Sequence, residues 1–375
     1  MEQSNKCPNC GSTLAYDPST NSLSCEYCVS KFKVDSTTAT NSKKDYTTSI
    51  QLEETTVAQY HCNSCLSNLN IYKDTPVKRC PNCSSTDLSK TNNISYTPDA
   101  IVPFKITKEQ ATANFYDWIK HKRFAPNNLK KLAKLGKVSG FYTPIWNFDC
   151  LTSTIYSGVG VDEETDRNGH THTSKHPFSG RISSKYTDIL ISANKQVSNV
   201  TLSALGDWGL SNLKVYNLEY LCGFIGTDTD FDVHASYRDF VNYINSAEAR
   251  KAKREKSTQY DRIEHFKSET NIYKPKFNYI YLPIYANYYT YKDKKYTCYI
   301  NGYSGKASGN APKSAWKILG MILTILLVVA VVGIGIYMFV EGTAPSGINP
   351  APPSDFPTPR IVEPDGFPDI QNFSL

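Results

Sequence analysis

A run of twenty-three consecutive uncharged residues near the C-terminus constrains this chain more than any other feature. The run extends from Ile318 to Val340 and reads ILGMILTILLVVAVVGIGIYMFV, with Lys317 before it and Glu341 after it. A helix of this length is roughly 35 Å long, and the hydrocarbon core of a bilayer is about 30 Å thick. The alternative, a buried core helix, is usually much shorter. The sequence therefore predicts one transmembrane helix over residues 318–340.

The charges on either side of this run predict its orientation. The residues before it include Lys306, Lys313 and Lys317, with no acid after Asp293, whereas residues 341–375 contain one base and five acids. Because lysine and arginine accumulate on the cytoplasmic side of a span, we expect a cytoplasmic N-terminal part and an outer C-terminal tail. All eleven cysteines precede the run, which fits a reducing compartment on that side. The sequence thus predicts a single-pass protein of the cell membrane.

Eight of the eleven cysteines form two copies of one motif, in which two CxxC pairs are separated by fourteen residues. The two sets are Cys7, Cys10, Cys25 and Cys28, and Cys62, Cys65, Cys80 and Cys83. Four thiolates at this spacing can converge on one tetrahedral ion, and they leave no open coordination position for a substrate. Disulfides and a redox CxxC are the alternatives, but redox motifs occur singly beside a βαβ pattern. The spacing therefore predicts two structural zinc ribbons that hold two Zn²⁺ ions.

The ribbons and the segment between them account for the first quarter of the chain. We predict ribbon 1 over residues 1–35, a flexible linker rich in serine and threonine over 36–58, and ribbon 2 over 59–95. At ~30 residues, neither ribbon can fold by apolar burial alone, so the metal is expected to stabilise each fold. Neither ribbon has the clustered bases of a nucleic-acid-binding surface. Protein recognition is therefore the favoured role, and nucleic-acid binding is the alternative.

Residues 96–311 have the pattern of one larger α+β domain. Thr107 and Gln110 form a capping box at the start of a predicted helix, and a short second helix is predicted over Asn128–Leu135. A third helix is predicted from Val233, continuing through the charged run to Lys256. The predicted strands are Phe141–Phe148, Thr152–Val159, Lys185–Ser192, Lys214–Tyr220, and a hairpin formed by Tyr279–Tyr291 and Tyr296–Ile300. The aromatic rings of Phe141–Phe148 are interpreted as core residues.

The predicted fold class is therefore α+β, with two N-terminal four-cysteine zinc ribbons, a strand-rich α+β domain and one C-terminal transmembrane helix. Residues 341–375 contain eight prolines. Such a segment is mostly extended and does not pack into a core, so we predict a disordered tail.

Basic residues are concentrated between positions 105 and 137, where nine bases face two acids. A solvated helix face is one interpretation of this cluster. The other is a surface held against anionic lipid headgroups, to which each base contributes ~1 kcal/mol. Membrane lipid is therefore among the expected partners.

His170, His172 and His176 form the only histidine cluster in the sequence. Alternation along a strand would place them on one face, so a metal site is possible, but the neighbouring glycines and acids are more typical of a polar loop. The sequence has no GxSxG, HExxH, P-loop or kinase motif. We therefore expect no enzymatic activity.

Several stretches resemble a family of bacterial membrane proteins with N-terminal ribbons like those of transcription factor IIB. The resemblance is carried by the paired CxxC sets, the single span, and the stretches IVPFKITKEQA, GFYTPIWNFD, YLPIYANYYTY and NGYSGKASGNAP. Members are often labelled after primosomal protein N′, a helicase, but no ATPase motif is present here. The resemblance implies a scaffold that acts with a second membrane protein to recruit cytoplasmic partners, including a PspA-type protein of the phage-shock response.

Two functional hypotheses follow from the ribbons, the span and the resemblance. The first is a single-pass membrane adaptor that uses its zinc ribbons to recruit protein partners for an envelope-stress assembly. The alternative is a membrane-tethered nucleic-acid-binding protein associated with replication.

Overall fold

The structure, a computed structural model, describes residues 6–39, 43–48, 52, 54–55, 58–71, 79–81, 83, 85–91, 95–129, 137–167, 169–292 and 294–342. The chain divides into two compact units, residues 1–314 and residues 315–375. Helices and strands mix in the first unit, and a single apolar helix represents the second. The described residues therefore confirm the α+β class.

The first four-cysteine motif is built on a small antiparallel sheet. Its strands are β1 (Leu14–Asp17), β2 (Ser22–Cys25) and β3 (Lys31–Lys33), in the order β1-β2-β3. The sheet places the buried side chains of Leu14, Tyr16 and Leu23 in the core. The N–H of Tyr16 donates to the carbonyl of Cys222 at 2.8 Å, which fastens the ribbon to the larger domain.

A twelve-stranded sheet runs through the rest of the first unit within the described residues. The short strands early in this part of the chain, of which all but β5 and β9 belong to the sheet, are β4 (Lys44–Asp45), β5 (Glu54–Thr55), β6 (Ala58–Cys62), β7 (Asn68–Ile71), β8 (Leu88–Thr91), β9 (Ser95–Tyr96) and β10 (Ala100–Ile101). The later strands are β11 (Lys137–Thr165), β12 (Thr171–Ser192), β13 (Lys214–Val215), β14 (Ile225–Thr227), β15 (Arg262–Tyr291), β16 (Lys294–Asn301) and β17 (Ala307–Gly309). The main path is β13-β10-β15-β11-β14-β7-β6-β8, and β5 pairs separately with β9.

Three of these strands are far longer than the sequence predicts. β11 has 29 residues, β12 has 22 and β15 has 30, so the predicted strands 141–148 and 152–159 are parts of one strand. The polar loop predicted around Gly158 and Gly160 is also wrong, since both lie inside β11. A Cβ atom on Gly160 would approach the ring of Tyr260 to 2.3 Å. The glycine therefore lets an aromatic ring lie on the strand.

The structure contains the predicted helices that follow Thr107 and begin at Val233, and one short helix that the sequence does not predict. Helix α1 spans Lys108–Lys120, and Thr107 and Gln110 form both bonds of the capping box. A short helix α2 spans Asn199–Leu205, and α3 spans Val233–Lys256 after the N-cap Asp232. Two 3₁₀ turns cover Leu210–Asn212 and Leu218–Leu221, so most of the strand predicted over 214–220 is wrong. The second predicted helix, 128–135, lies almost entirely outside the described residues.

Helix α3 lies along the three long strands and is fastened by a buried carboxylate. The side chain of Glu248 is fully buried and accepts hydrogen bonds from Thr154 Oγ1 and Tyr186 Oη, both at 2.7 Å. Burial opposes ionisation of Glu248, but these hydrogen bonds outweigh it and lower the pKa of the carboxyl. The helix thus gains a charged anchor among apolar contacts from Phe240 and Ile244.

The core confirms the interpretation of the aromatic strand residues. Phe141, Tyr142, Trp146 and Phe148 are completely buried. Trp146 lies 4.9 Å from Tyr279, measured between ring centroids. The many tyrosines of the sequence therefore fill the interior of a sheet domain.

The predicted flexible linker is wrong for the residues that the structure describes around position 44. Lys44 and Asp45 form β4, which pairs with β15, and the ring of Tyr46 stacks on Tyr237 at a centroid distance of 3.8 Å. The side chain of Lys43 is only 1% exposed and forms ion pairs with Asp149 and Asp188. A composition rich in serine and threonine predicts little burial, but it does not reveal acids that lie 106 and 145 residues away along the chain.

The second unit is described by one helix, α4, over Ala315–Gly342. Within Ala315–Phe339, a window of 18 residues has a mean hydropathy of 2.9, and none of that window is buried. The helix is long and apolar enough to cross a bilayer, which agrees with the predicted span. The tail 343–375 lies outside the described residues.

Candidate metal centres

The structure brings together all eight cysteines that the sequence predicts as metal ligands. In each group of four, the Sγ atoms lie within 4.8 Å of one another. In the first group, Cys7 lies 3.5 Å from Cys28, and Cys10 lies 3.5 Å from Cys25. The corresponding sulfur pairs of the second group, 62/83 and 65/80, are 3.6 Å apart. Each group can therefore hold a metal ion.

These distances fit a tetrahedral tetrathiolate site. A zinc–sulfur bond of about 2.3 Å places tetrahedral sulfur ligands about 3.8 Å apart, close to the observed spacing. All eleven cysteines are free thiols, so the sulfurs are not paired in disulfides. Four soft ligands with no open position suit a structural ion and exclude a substrate-binding role for that ion.

The thiols of each group compete for protons. Hydrogen bonding from the Ser30 hydroxyl lowers the pKa of Cys28 to about 6, and hydrogen bonding from Cys80 lowers the pKa of Cys65 to about 4. Burial raises the pKa of Cys83 to about 11. Adjacent thiolates repel one another, so the protein alone ionises only some of them. A bound dication would stabilise all four as thiolates.

One turn geometry recurs at the cysteine pairs. The chain repeats C-x2-C-x-S four times, as CPNCGS, CEYCVS, CNSCLS and CPNCSS. In each repeat the N–H of the first cysteine donates to the carbonyl of the serine, at 2.6, 3.0, 3.0 and 2.8 Å in chain order. The residue before the serine has a positive φ wherever the structure describes it: 73° at Gly11, 59° at Val29 and 59° at Leu66. The turn therefore uses a conformation that favours glycine.

Two of these turns carry large apolar side chains instead of glycine. Val29 is 73% exposed in the first ribbon, and Leu66 is 68% exposed in the second. Tyr27, which is close to Val29 in the first ribbon, is 80% exposed. A valine at φ 59° is strained because its branched side chain crowds the backbone. We define Tyr27, Val29 and Leu66 as the knuckle residues. The repeated C-x2-C-x-S pattern marks Val29 and Leu66 in the sequence, but their exposure is visible only in the structure.

The second ribbon is built into the large sheet. β7 pairs with β14, and the carboxylate of Asp228, next to β14, is held between strands. Ser95 Oγ donates to this carboxylate at 2.8 Å, and Gln59 Nε2 donates at 3.3 Å. Asn70 Nδ2 donates to Tyr281 Oη at 3.2 Å. Burial raises the pKa of Asp228 despite these bonds. The strands of the second ribbon thus share one polar network with the domain core.

The predicted histidine cluster lies at the end of the β11–β12 hairpin. His170 Nδ1 is 3.3 Å from Asp166 Oδ2, and His172 Nε2 is 3.6 Å from the same oxygen. His176 pairs instead with Asp162, at 3.6 Å. Among the described residues, three or more potential ligand atoms lie within 4.8 Å of each other only in the two cysteine groups. The three histidines are therefore not arranged as one metal site.

The three remaining cysteines, Cys150, Cys222 and Cys298, are buried apart from the metal groups. Burial raises the pKa of Cys150 and of Cys222 to about 12. Such thiols are protonated at neutral pH, so they behave as small apolar side chains.

Comparison with known proteins gives one distant relative. A protein of Bacillus subtilis strain 168, described as "Uncharacterized protein YdjG", is 24% identical over 328 residues. The alignment covers 84% of this chain and 91% of that protein. No family model matches the chain, and no solved structure matches it. The likeness therefore extends over nearly the whole molecule, but the description of the relative assigns no activity.

Proposed function

We propose that this protein is a membrane-anchored adaptor whose two zinc ribbons dock cytoplasmic protein partners. In this proposal the ions are Zn²⁺, helix α4 crosses the bilayer, and the first unit lies on the cytoplasmic side. The partners belong to an envelope-stress assembly, as the family resemblance of the ribbons and the later stretches implies. The similarity to YdjG is compatible with this role, but the description of that protein names no role.

The knuckle residues are the observation that carries the proposal. Each is at least 68% exposed, so none contributes much to the core. Val29 and Leu66 also occupy backbone conformations that cost ~1–2 kcal/mol for residues other than glycine. Exposed apolar side chains of this kind are typical of protein contacts, where aromatic and aliphatic groups are buried on binding.

The closed metal sites support the same role. A four-cysteine site offers no position for substrate, so its contribution is to hold the two turns of each ribbon rigidly. A rigid turn presents an apolar side chain without an ordering cost on binding. Each tetrathiolate site with a dication carries a net charge of about −2, which disfavours contact with nucleic-acid phosphates.

The test compares partners recovered from native membranes. Full-length protein and the triple variant Tyr27→Ser, Val29→Gly, Leu66→Gly are purified in detergent, and the proteins recovered with each are measured by quantitative mass spectrometry. We expect specific partners to be lost from the triple variant. The control is Val200→Ala, since Val200 is 79% exposed on helix α2. The control should retain every partner.

Two measurements separate the proposal from its alternatives. Metal analysis should give two zinc ions per chain for the wild type and for the triple variant, because the ligands are unchanged. If the triple variant holds both ions and still recovers every partner, the ribbons do not dock proteins through these residues. If the bound material is nucleic acid that dissociates between low and moderate salt, the alternative function replaces this one.

A further inference from the structure

Three segments that are distant in the sequence place seven basic residues on one part of the first unit. The first segment is the end of helix α1 with the turn that follows it, the second is the turn between β15 and β16, and the third directly precedes helix α4. We define the three-segment surface by Lys120, Lys122, Arg123, Lys292, Lys294, Lys295 and Lys313. The concentration of bases found in the sequence covered only the first of these segments.

Hydrogen bonds hold the three segments together. The N–H of Ser314 donates to the carbonyl of Phe124 at 2.8 Å, which joins the third segment to the first. Tyr291 Oη donates to Asn128 Oδ1 at 3.1 Å, which joins the second segment to the first. Tyr289 Oη donates to the carbonyl of Asn310 at 3.0 Å, which joins the second to the third. The three segments therefore lie next to one another.

The charge of this surface is strongly positive. Among the described residues of the three segments, its seven bases are accompanied by one acid, Asp117. Asp117 pairs with Lys120 at 3.1 Å, and both side chains are exposed. Lys122 Nζ lies 4.5 Å from the centre of the Trp118 ring, so an aromatic side chain lies among the bases. Exposed bases beside a tryptophan ring are the groups that contact lipid headgroups at a membrane surface.

The three-segment surface includes the end of the first unit along the chain. Ser314 is the last residue of the first unit, and Ala315 is the first residue of helix α4. Ser314, which is bonded to Phe124 in the turn after α1, directly precedes the helix that could cross the bilayer. Lys313, which belongs to the three-segment surface, is the residue before Ser314.

We propose that the three-segment surface binds the phosphate headgroups of anionic lipids in the leaflet where the chain enters the membrane. The bases attract the phosphates, and Trp118 lies at the level of the headgroups. This contact is independent of the ribbons and holds the first unit against the membrane surface while the knuckle residues bind partners.

The test uses the full chain in lipid nanodiscs. One preparation contains phosphatidylcholine alone, and the other also contains phosphatidylglycerol. The rate at which an amine-reactive ester labels each lysine is read by mass spectrometry. We expect labelling of the surface lysines to slow severalfold in the phosphatidylglycerol discs at low salt, and to recover at high salt. Lys185 and Lys267, which are exposed on β12 and β15, serve as internal controls and should not change.

A charge-reversal variant tests the surface directly. Lys122→Glu, Arg123→Glu, Lys294→Glu and Lys295→Glu are combined, and the ratio of the two lipids retained after gentle detergent extraction is measured. Each base near a membrane raises the preference for the anionic lipid over the neutral one by roughly fivefold at most. Reversing four of the bases should therefore abolish the enrichment of phosphatidylglycerol around the protein. The matched control combines Arg181→Glu, Lys185→Glu, Arg250→Glu and Lys267→Glu, all exposed, and should keep it.

Several outcomes would overturn the proposal. Equal labelling of the surface lysines in both kinds of disc would do so, as would unchanged lipid enrichment in the charge-reversal variant. Inorganic phosphate is also added to the phosphatidylcholine discs. If it alone reproduces the slower labelling, the surface is a site for free anions and not for lipid. Zinc content is measured in every variant to show that the first unit remains folded.

Discussion

Replacing the strained knuckle residues with glycine should change partner binding without a matching loss of stability. The variants are Val29→Gly and Leu66→Gly. Glycine removes about 1–2 kcal/mol of left-handed strain per residue, but it costs about 0.5–1 kcal/mol through the greater freedom of the unfolded chain. About a third of each side chain is buried, since the exposed fractions are 73% and 68%, and losing that contact costs roughly 0.5–0.9 kcal/mol. The three effects nearly cancel, so each variant should differ from wild type by less than about 1 kcal/mol.

The assay is thermal unfolding of zinc-loaded full-length protein in detergent, followed by intrinsic fluorescence. A change of 1 kcal/mol corresponds to about 2–4 °C in a domain of this size, so both variants should unfold within about 3 °C of wild type. The comparison is Leu69→Ala, because Leu69 is fully buried in β7. A buried truncation of this kind costs about 2–5 kcal/mol. If Val29→Gly or Leu66→Gly destabilises the protein as much as Leu69→Ala, these side chains have structural contacts and the reasoning is wrong.

Three further predictions concern the groups that hold the fold together. Because the pKa of Glu248 is lowered on folding, its ionised carboxylate stabilises the fold above the unfolded value of 4.5, and this stabilisation is lost as the pH falls below that value. Glu248→Gln should therefore cost about 1.5–3 kcal/mol at pH 7. It should also weaken the fall of the melting temperature at acidic pH, measured by thermal unfolding at a series of pH values. Lys43→Met leaves Asp149 and Asp188 without their shared cation. Because both carboxylates stay partly exposed, we expect a loss of about 1.5–3 kcal/mol and proteolysis within residues 36–58, which is read by limited digestion. Digestion as slow as in wild type would contradict this. Chelation of zinc should release two ions per chain with uptake of protons by the thiols, as measured by a chromogenic indicator and a pH electrode, and a single ion per chain would show that one cysteine group does not bind zinc.

The parts of the fold that the sequence predicts well are those set by local chemistry. Two CxxC pairs at fixed spacing specify a four-sulfur cluster whatever surrounds them, and the structure brings together all eight cysteines. A capping box is complete within four residues, so Thr107 and Gln110 predict the start of α1. A long run without charge similarly identifies helix α4.

The parts that the sequence does not predict depend on distant partners. β11 continues through polar residues because β12 pairs with it as far as Thr165 and β15 pairs with its other side as far as Val161, so its hydrogen bonds do not require an apolar sequence. Lys43 lies in a stretch with few apolar residues, and its burial depends on two acids that only the fold brings near. The basic surface at the end of α1 is similarly incomplete until the β15–β16 turn joins it.

The pairing of β7 with β14 links metal supply to the solubility of the whole first unit. If ribbon 2 lost its ion and unfolded, the backbone groups of Gly226 and Thr227 that bond to β7 would be left without partners, and the buried carboxylate of Asp228 would face water. An open strand edge of this kind attracts other chains. Loss of the ion from ribbon 2 would therefore convert a folded domain into one that self-associates, before the tyrosine-rich core itself unfolded.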